Sequence, residues 1–305
     1  VQYYTRMTNC IPRDRYPSAE LVVNDSGTQE KMLRFLYGTT IGRAVLKPLV
    51  SPVVSKVCGR FLDSGFSRTL IPYFIRKCNL DMTFVNREVD EFKSYNDFFT
   101  RELVANARPV DHTNDHLISP CDSKLLVYEI KDDLCVQIKN TTYTMHELLR
   151  DPRLAEKYKG GSMFIFRLSV DDYHRYCYID SGKKTHNRKI PGVFHTVHPV
   201  AGDMYPIYKQ NTREYCMMRT DHFGDVIMME VGALNVGRIV NYKQKGRFYR
   251  GEEKGRFEFG GSTIVLFFEK DRVVPDPDIM LHSSLEIETK VSMGEKIGVG
   301  GVGNV

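Results

Sequence analysis

Arg256-Phe257-Glu258-Phe259-Gly260-Gly261-Ser262-Thr263-Ile264-Val265-Leu266-Phe267-Phe268 sets a paired glycine and a serine at the head of an apolar, β-branched run. The run predicts a strand over 263–268, and the glycines predict a sharp change of direction just before it. Glycine reaches backbone conformations closed to other residues and leaves the Gly261 carbonyl uncovered. A strained Gly-Ser peptide of this kind can be attacked by its own serine hydroxyl, which would cut the chain between 261 and 262. Loss of the resulting ester by β-elimination and hydrolysis of the dehydroalanine would leave a ketone at the new N-terminus. A plain turn between two strands accounts for the same tetrapeptide.

Outward from this point the pattern stays β-rich. Short apolar segments at 163–168, 192–197, 226–231 and 236–242, punctuated by Gly, Asn, Asp and Pro, predict further strands. Earlier in the chain the period lengthens. Val50, Val54, Val57 and Phe61 recur at spacings of four, three and four, and Leu70, Ile71, Phe74 and Ile75 repeat the arrangement. Pro48, Pro52 and Pro72 divide this region into short helices. Ser94 to Leu103 predicts a helix capped by Ser94 or Asn96, and Thr144-Met145-His146-Glu147 has capping-box spacing at the head of a helix running toward Tyr158. His146 lies on that first turn and reads as a surface or capping residue. The fold class expected is α+β: a helical region over 1–110, then a mostly antiparallel, barrel-like or sandwich catalytic domain over 111–305.

Between residues 31 and 80 nine lysines and arginines face a single acid, Asp63, although the whole chain of 305 residues carries a net charge of only +5. Basic amphipathic helices of this kind lie on anionic membrane surfaces, and each cation near such a surface contributes about 1 kcal/mol. Packing of their apolar faces on the catalytic core is the alternative. No aromatic-basic interleaving or binding motif accompanies the charge, so nucleic acid is not an expected partner. The seven cysteines are scattered and form no Cys-x-x-Cys pair, which predicts neither a disulfide framework nor a zinc site and fits a reducing compartment. Neither a secretory leader nor a spanning helix is expected.

Six motifs in order carry a resemblance to the phosphatidylserine decarboxylase family. They are Tyr95-Asn96-Asp97-Phe98-Phe99-Thr100-Arg101-Glu102-Leu103, Arg108-Pro109-Val110, Ser119-Pro120-Cys121-Asp122, Asp172-Tyr173-His174-Arg175, Val231-Gly232-Ala233 and Gly260-Gly261-Ser262-Thr263. The resemblance implies self-cleavage at Gly261-Ser262 into a β chain (1–261) and an α chain (262–305), with a pyruvoyl group formed from Ser262 as the cofactor. It implies that Asp122 orients the charge relay and that His174 handles the substrate during decarboxylation. The family's usual base for cleavage is a second histidine, and this chain has Cys177 in its place. A thiol is a poor base at neutral pH unless a cation depresses its pKa. His174 could serve both steps, or His195 or His198 could reach the serine. These two are three apart and point to opposite faces of a regular strand, which favours one of them, here His198.

The resemblance further implies phosphatidylserine as substrate, phosphatidylethanolamine and carbon dioxide as products, and work at the cytoplasmic face of a membrane as a peripheral protein. A homo-oligomer is compatible with it. Arg167, Arg175 and Lys183 are candidate phosphate contacts. Two alternatives remain at this point: pyruvoyl chemistry on a free amino acid, and a lipid-binding relative that never cleaves because Cys177 replaces the histidine. Neither a metal nor pyridoxal phosphate is expected.

Overall fold

The computed structural model describes residues 10–13, 27–138, 141–196, 207–232, 238–258 and 262–301, and there the decisive run forms the strand Ser262–Phe268. It lies between antiparallel strands Ser162–Leu168 and Asp225–Val231, near the middle of a large sheet. All seven of its residues are buried, because alternate side chains feed two different cores. Val265 and Phe267 face a core shared with Met163, Ile165, Ile227 and Met229. Ile264, Leu266 and Phe268 face the other core with Phe164, Phe166, Val226 and Met228. Covering both faces removes the usual polar alternation, and each large side chain so buried contributes roughly 1.5–3 kcal/mol.

From Ser162–Leu168 the sheet continues through Ser123–Glu129 and Glu288–Val291 to Cys10–Pro12, the last pair being parallel. On the other side it runs through Arg213–Thr220 and Gly182–Lys184 to Gly246–Phe248. The fold is α+β with mostly antiparallel sheets and a sandwich-like packing. It does not close into a barrel: the order runs from one edge strand to another, and the described residues contain no pairing that joins those edges. A smaller sheet, Ile239–Asn241, Glu253–Phe257 and Arg175–Cys177, lies beside the site.

The helical region divides into Gly27–Gly38, Thr40–Leu49, Pro52–Leu62 and Ile71–Cys78; Pro52 and Pro72 sit in the first turns of the last two as predicted, whereas Pro48 lies inside the second and the first break falls at the Thr39 cap. Leu33, Tyr37, Leu46 and Val50 join the sheet's first core, so part of the apolar periphery does pack inward. The periodicity misjudges the helix Pro52–Leu62, where Val57 and Phe61 are exposed and Ser55 and Leu62 are buried. Two other helices are shorter than the sequence predicts. Tyr95–Phe99, capped by Ser94 Oγ accepting from Asp97 N–H at 3.1 Å, stops at Thr100, and Leu103 bridges to Val85 instead. Met145–Leu149 carries the expected capping box but ends on Arg150 in a left-handed conformation, and Pro152 starts a separate turn. At 192–196 there is a single bridge from Val193 to Asn211 rather than a strand, and the predicted strand at 236–242 contracts to Ile239–Asn241 within the described residues.

Candidate active site

Register places Ser262 opposite Leu168, the last residue of the neighbouring strand. The chain leaving Leu168 therefore turns through residues 169–174 right beside Ser262 and delivers His174 to it. Ser262 Oγ lies 3.4 Å from His174 Nδ1, with both side chains buried. That separation is long for a hydroxyl–imidazole bond, and proton transfer needs it to close by about 0.5 Å.

The other ring nitrogen decides what His174 can do. His174 Nε2 lies 2.9 Å from the Ser169 carbonyl oxygen, which can only accept, so the ring proton sits on Nε2 and Nδ1 presents a lone pair to the serine. Burial, with added repulsion from Arg101 and Lys124, lowers the His174 pKa to about 3 against the bond to Ser169. The imidazole is neutral at physiological pH and is already in the tautomer that can accept the serine proton.

Several contacts hold this ring in place. Phe99 lies against it at 4.1 Å between centroids, and Phe257 N–H donates to the His174 carbonyl at 2.9 Å. Ser169 is fixed in turn by Asp172: its N–H donates to Asp172 Oδ2 at 2.7 Å, and its carbonyl accepts from Asp172 N–H at 3.1 Å. Lys124 Nζ, 2.9 Å from Asp172 Oδ2, completes the support. The turn at 169–172 is thus a rigid bracket for the base.

A buried serine facing the lone pair of a neutral, braced histidine at the start of a core strand has a base placed to activate its hydroxyl as a nucleophile. The family model described as phosphatidylserine decarboxylase matches residues 95–299, a span that holds the whole arrangement. The chain belongs to the phosphatidylserine decarboxylase family. It is 48% identical over 267 residues to phosphatidylserine decarboxylase proenzyme 2 of Clostridium acetobutylicum, covering 87% of this chain and 91% of that protein. It is 43% identical over 303 residues to the phosphatidylserine decarboxylase proenzyme of Desulfitobacterium hafniense strain Y51, covering 98% of each. A proenzyme of the same name from Clostridium perfringens strain SM101 is 42% identical over 272 residues.

Within this family member the other residues singled out from the sequence are placed as follows. Asp122 is gripped by Arg108, with Nε at 2.7 and 2.9 Å from its two oxygens, and also accepts from Met293 N–H at 2.8 Å. Its hydrogen bonds thus go to these two partners, while the bracket on His174 comes from Ser169. Cys177 is buried, its backbone N–H donating to the Pro120 carbonyl at 2.9 Å and its Sγ lying 4.0 Å from the Ser119 carbonyl. Burial pushes its thiol up to about 12, the wrong direction for a base. His195 sits under the first helix, its ring 5.8 Å from Tyr37 and its backbone bound on both sides by Asn211. Gly261 and His198 lie outside the described residues. His146 is exposed on its short helix, as expected of a surface residue.

Two of the three candidate phosphate contacts are engaged elsewhere. Arg167 pairs with Glu288, and Arg175 pairs with Glu253 and Glu102, while Lys183 is exposed on the strand Gly182–Lys184. Sequence reasoning passed over Ser169, Asp172 and Lys124. Asp172 was visible, two residues before His174 in the quoted motif, but its partners are made by the turn and by strand pairing. A cleft of about 480 Å³ opens between the helix Pro52–Leu62 and the sheet, lined among others by Lys56, Arg60, Asn96, Arg238 and Glu258. Glu258 is four residues before Ser262 in the sequence, so the cleft reaches the chain shortly before that serine.

Proposed function

We propose that the chain is a proenzyme that cuts itself between Gly261 and Ser262 and then decarboxylates phosphatidylserine to phosphatidylethanolamine. The observation that carries this reading is the 3.4 Å approach of Ser262 Oγ to the unprotonated Nδ1 of His174. In the scission, Nδ1 takes the hydroxyl proton and Oγ attacks the Gly261 carbonyl. The amide C–N bond breaks, giving an ester on Oγ and a free amine on Ser262. Loss of the Cα proton and departure of the Gly261 carboxylate leave dehydroalanine, whose hydrolysis releases ammonia and yields the pyruvoyl group. A serine at the head of a buried strand, with its base beside it, fits such a precursor.

When present, that group supplies a ketone that condenses with a primary amine and accepts the electron pair released as carbon dioxide departs. The chain's own residues supply the rest. His174, held by Ser169 and Phe99, stays beside the reacting carbon, where it can handle the proton that replaces the carboxylate. The two sheet cores around the strand Ser262–Phe268 exclude bulk water from one side of the centre. Cys177 need not carry the base's role, because His174 already meets the serine, and this weighs against a relative that never cleaves.

A lipid substrate, rather than a free amino acid, is supported by the surface beside the cleft. Phe66 is 84% and Ile41 71% exposed, and Val53, Val57, Phe61 and Tyr73 are exposed with them. Lys47, Lys56, Arg60, Arg68 and Lys77 are exposed among these apolar groups. Exposed apolar side chains interspersed with cations along these helices suit the boundary of an anionic bilayer, with peripheral attachment at its cytoplasmic side. No helix among the described residues is long and apolar enough to cross a membrane. Replacing both Ile41 and Phe66 with aspartate should lower binding to phosphatidylserine-containing vesicles at least about tenfold while leaving chain scission intact, since each lost side chain removes roughly 1.5–3 kcal/mol of burial. Co-sedimentation reads the result, and equal binding by the double variant would remove the lipid surface from this account.

The test of the function itself is mass spectrometry of the purified protein. A 44-residue fragment, Ser262 to Val305, whose N-terminus resists Edman degradation and reacts with a hydrazide, is the expected product. An intact chain that nevertheless releases carbon dioxide from phosphatidylserine would refute the proposal.

A further inference from the structure

We propose that Arg101 binds an oxyanion of the substrate head group, an inference that rests on the decarboxylase reading above. Arg101 is only 6% exposed, yet its Nη1 is buried without a hydrogen-bond partner. Neighbouring arginines are all engaged: Arg108 with Asp122, Arg175 with Glu253, Arg87 with Asp97. Arg101 has no such carboxylate among the described residues, and its guanidinium rests 5.2 Å from the Phe98 ring. Asp122, held by Arg108, reaches that guanidinium only through space. Withdrawing a cation from water without a directly paired carboxylate is costly, and a fold that keeps one so placed holds a site ready for an arriving anion.

Its position suits the reaction. Arg101 follows Phe99, whose ring lies on His174, by two residues, and its charge acts on His174 through space. A guanidinium offers parallel N–H donors that match two oxygens of a phosphate or a carboxylate. The serine head group carries both anions. Its carboxylate loses its charge as carbon dioxide leaves, so an ion pair there would stabilise the ground state more than the transition state. The phosphodiester keeps its charge throughout and can be gripped without that penalty, which makes it the favoured occupant.

The experiment compares the wild-type chain with Arg101→Gln and Arg101→Lys, using short-chain phosphatidylserine as substrate and short-chain phosphatidylethanolamine as product inhibitor. Scission at 261/262 involves no substrate and reports that each variant has folded. Arg101→Gln that has undergone scission should show KM raised about 10- to 100-fold, the range for a lost hydrogen bond to a charged group, with kcat changed far less and Arg101→Lys in between. A parallel rise in the inhibition constant of the product assigns the phosphodiester. A rise confined to the substrate assigns the carboxylate, and either supports the anion site. Unchanged KM and inhibition constant in a cleaved variant would overturn it. If Arg101→Gln does not undergo scission, Arg101→Lys carries the same comparison. Failure of the wild-type chain to cut itself would refute the proenzyme reading instead.

Discussion

Ser262→Ala should leave a single chain of 35.2 kDa under denaturing conditions and abolish carbon dioxide release from phosphatidylserine. Both losses follow from one atom. Without Oγ there is no nucleophile for the Gly261 carbonyl, no ester to eliminate and so no ketone. The change should not unfold the strand. Ser262 is a small residue at its first position, and the burial that holds the strand comes from Ile264 to Phe268, which are untouched. Circular dichroism and the melting temperature should therefore match those of a wild-type chain trapped before scission. A variant that keeps decarboxylating would show that the electrophile is not made at this serine. One that is cut yet inactive would place the scission elsewhere. Because the reaction happens once per chain, a slow residual rate would still show as cleaved protein after long incubation, so time courses rather than end points decide the outcome.

The strand carrying the serine was legible because a continuous apolar run after Gly-Gly has few other uses, and the motif order around it pointed to the family. Which histidine meets Ser262 was not legible. His174, His195 and His198 were equal as residue types. What separates His174 from His195 is strand register: Ser262 opposite Leu168 brings the following turn to the serine, and neither partner's sequence states that pairing. The bracket of Ser169, Asp172 and Lys124 depends on the same long-range geometry. The helical front end was half legible. Prolines marked the starts of two of its helices, but a 3.6-residue period reports an apolar stripe without saying whether protein or lipid covers it. Val50 meets the core, whereas Val57 and Phe61, on the predicted stripe, face outward beside lysines and arginines. The choice between barrel-like and sandwich forms was open in the sequence for a related reason, since alternation and strand length are shared by open sheets and closed ones, and only edge pairing distinguishes them.

His174→Gln should slow self-cleavage by about 10²- to 10⁴-fold, the usual contribution of a positioned general base. Glutamine preserves much of the side-chain volume and can still bond the Ser169 carbonyl, but it offers no basic nitrogen to the serine. Cys177→Ser should leave the rate within about threefold, because a buried thiol whose proton is held up to about 12 contributes no base at neutral pH. The pair of variants separates His174 from the residue that stands in the place of the family's second histidine. The pH profile adds a second readout with a definite sign. A histidine with the ordinary pKa of about 6.5 would lose its base form as the pH fell through that value. His174, with its pKa lowered to about 3 by burial, keeps its lone pair down to that pH, so the scission rate should stay level between pH 8 and about 5 in quench-flow or gel time courses. The same displacement costs stability in acid: the unfolded chain takes up a proton below about 6.5 that the folded chain refuses, so folding weakens as the pH falls toward 3. A base this weak accepts a serine proton slowly, which is tolerable for an event each chain performs once. Wild-type scission by His174→Gln, or a tenfold fall in rate for each pH unit below 6.5, would transfer the base's role to another residue.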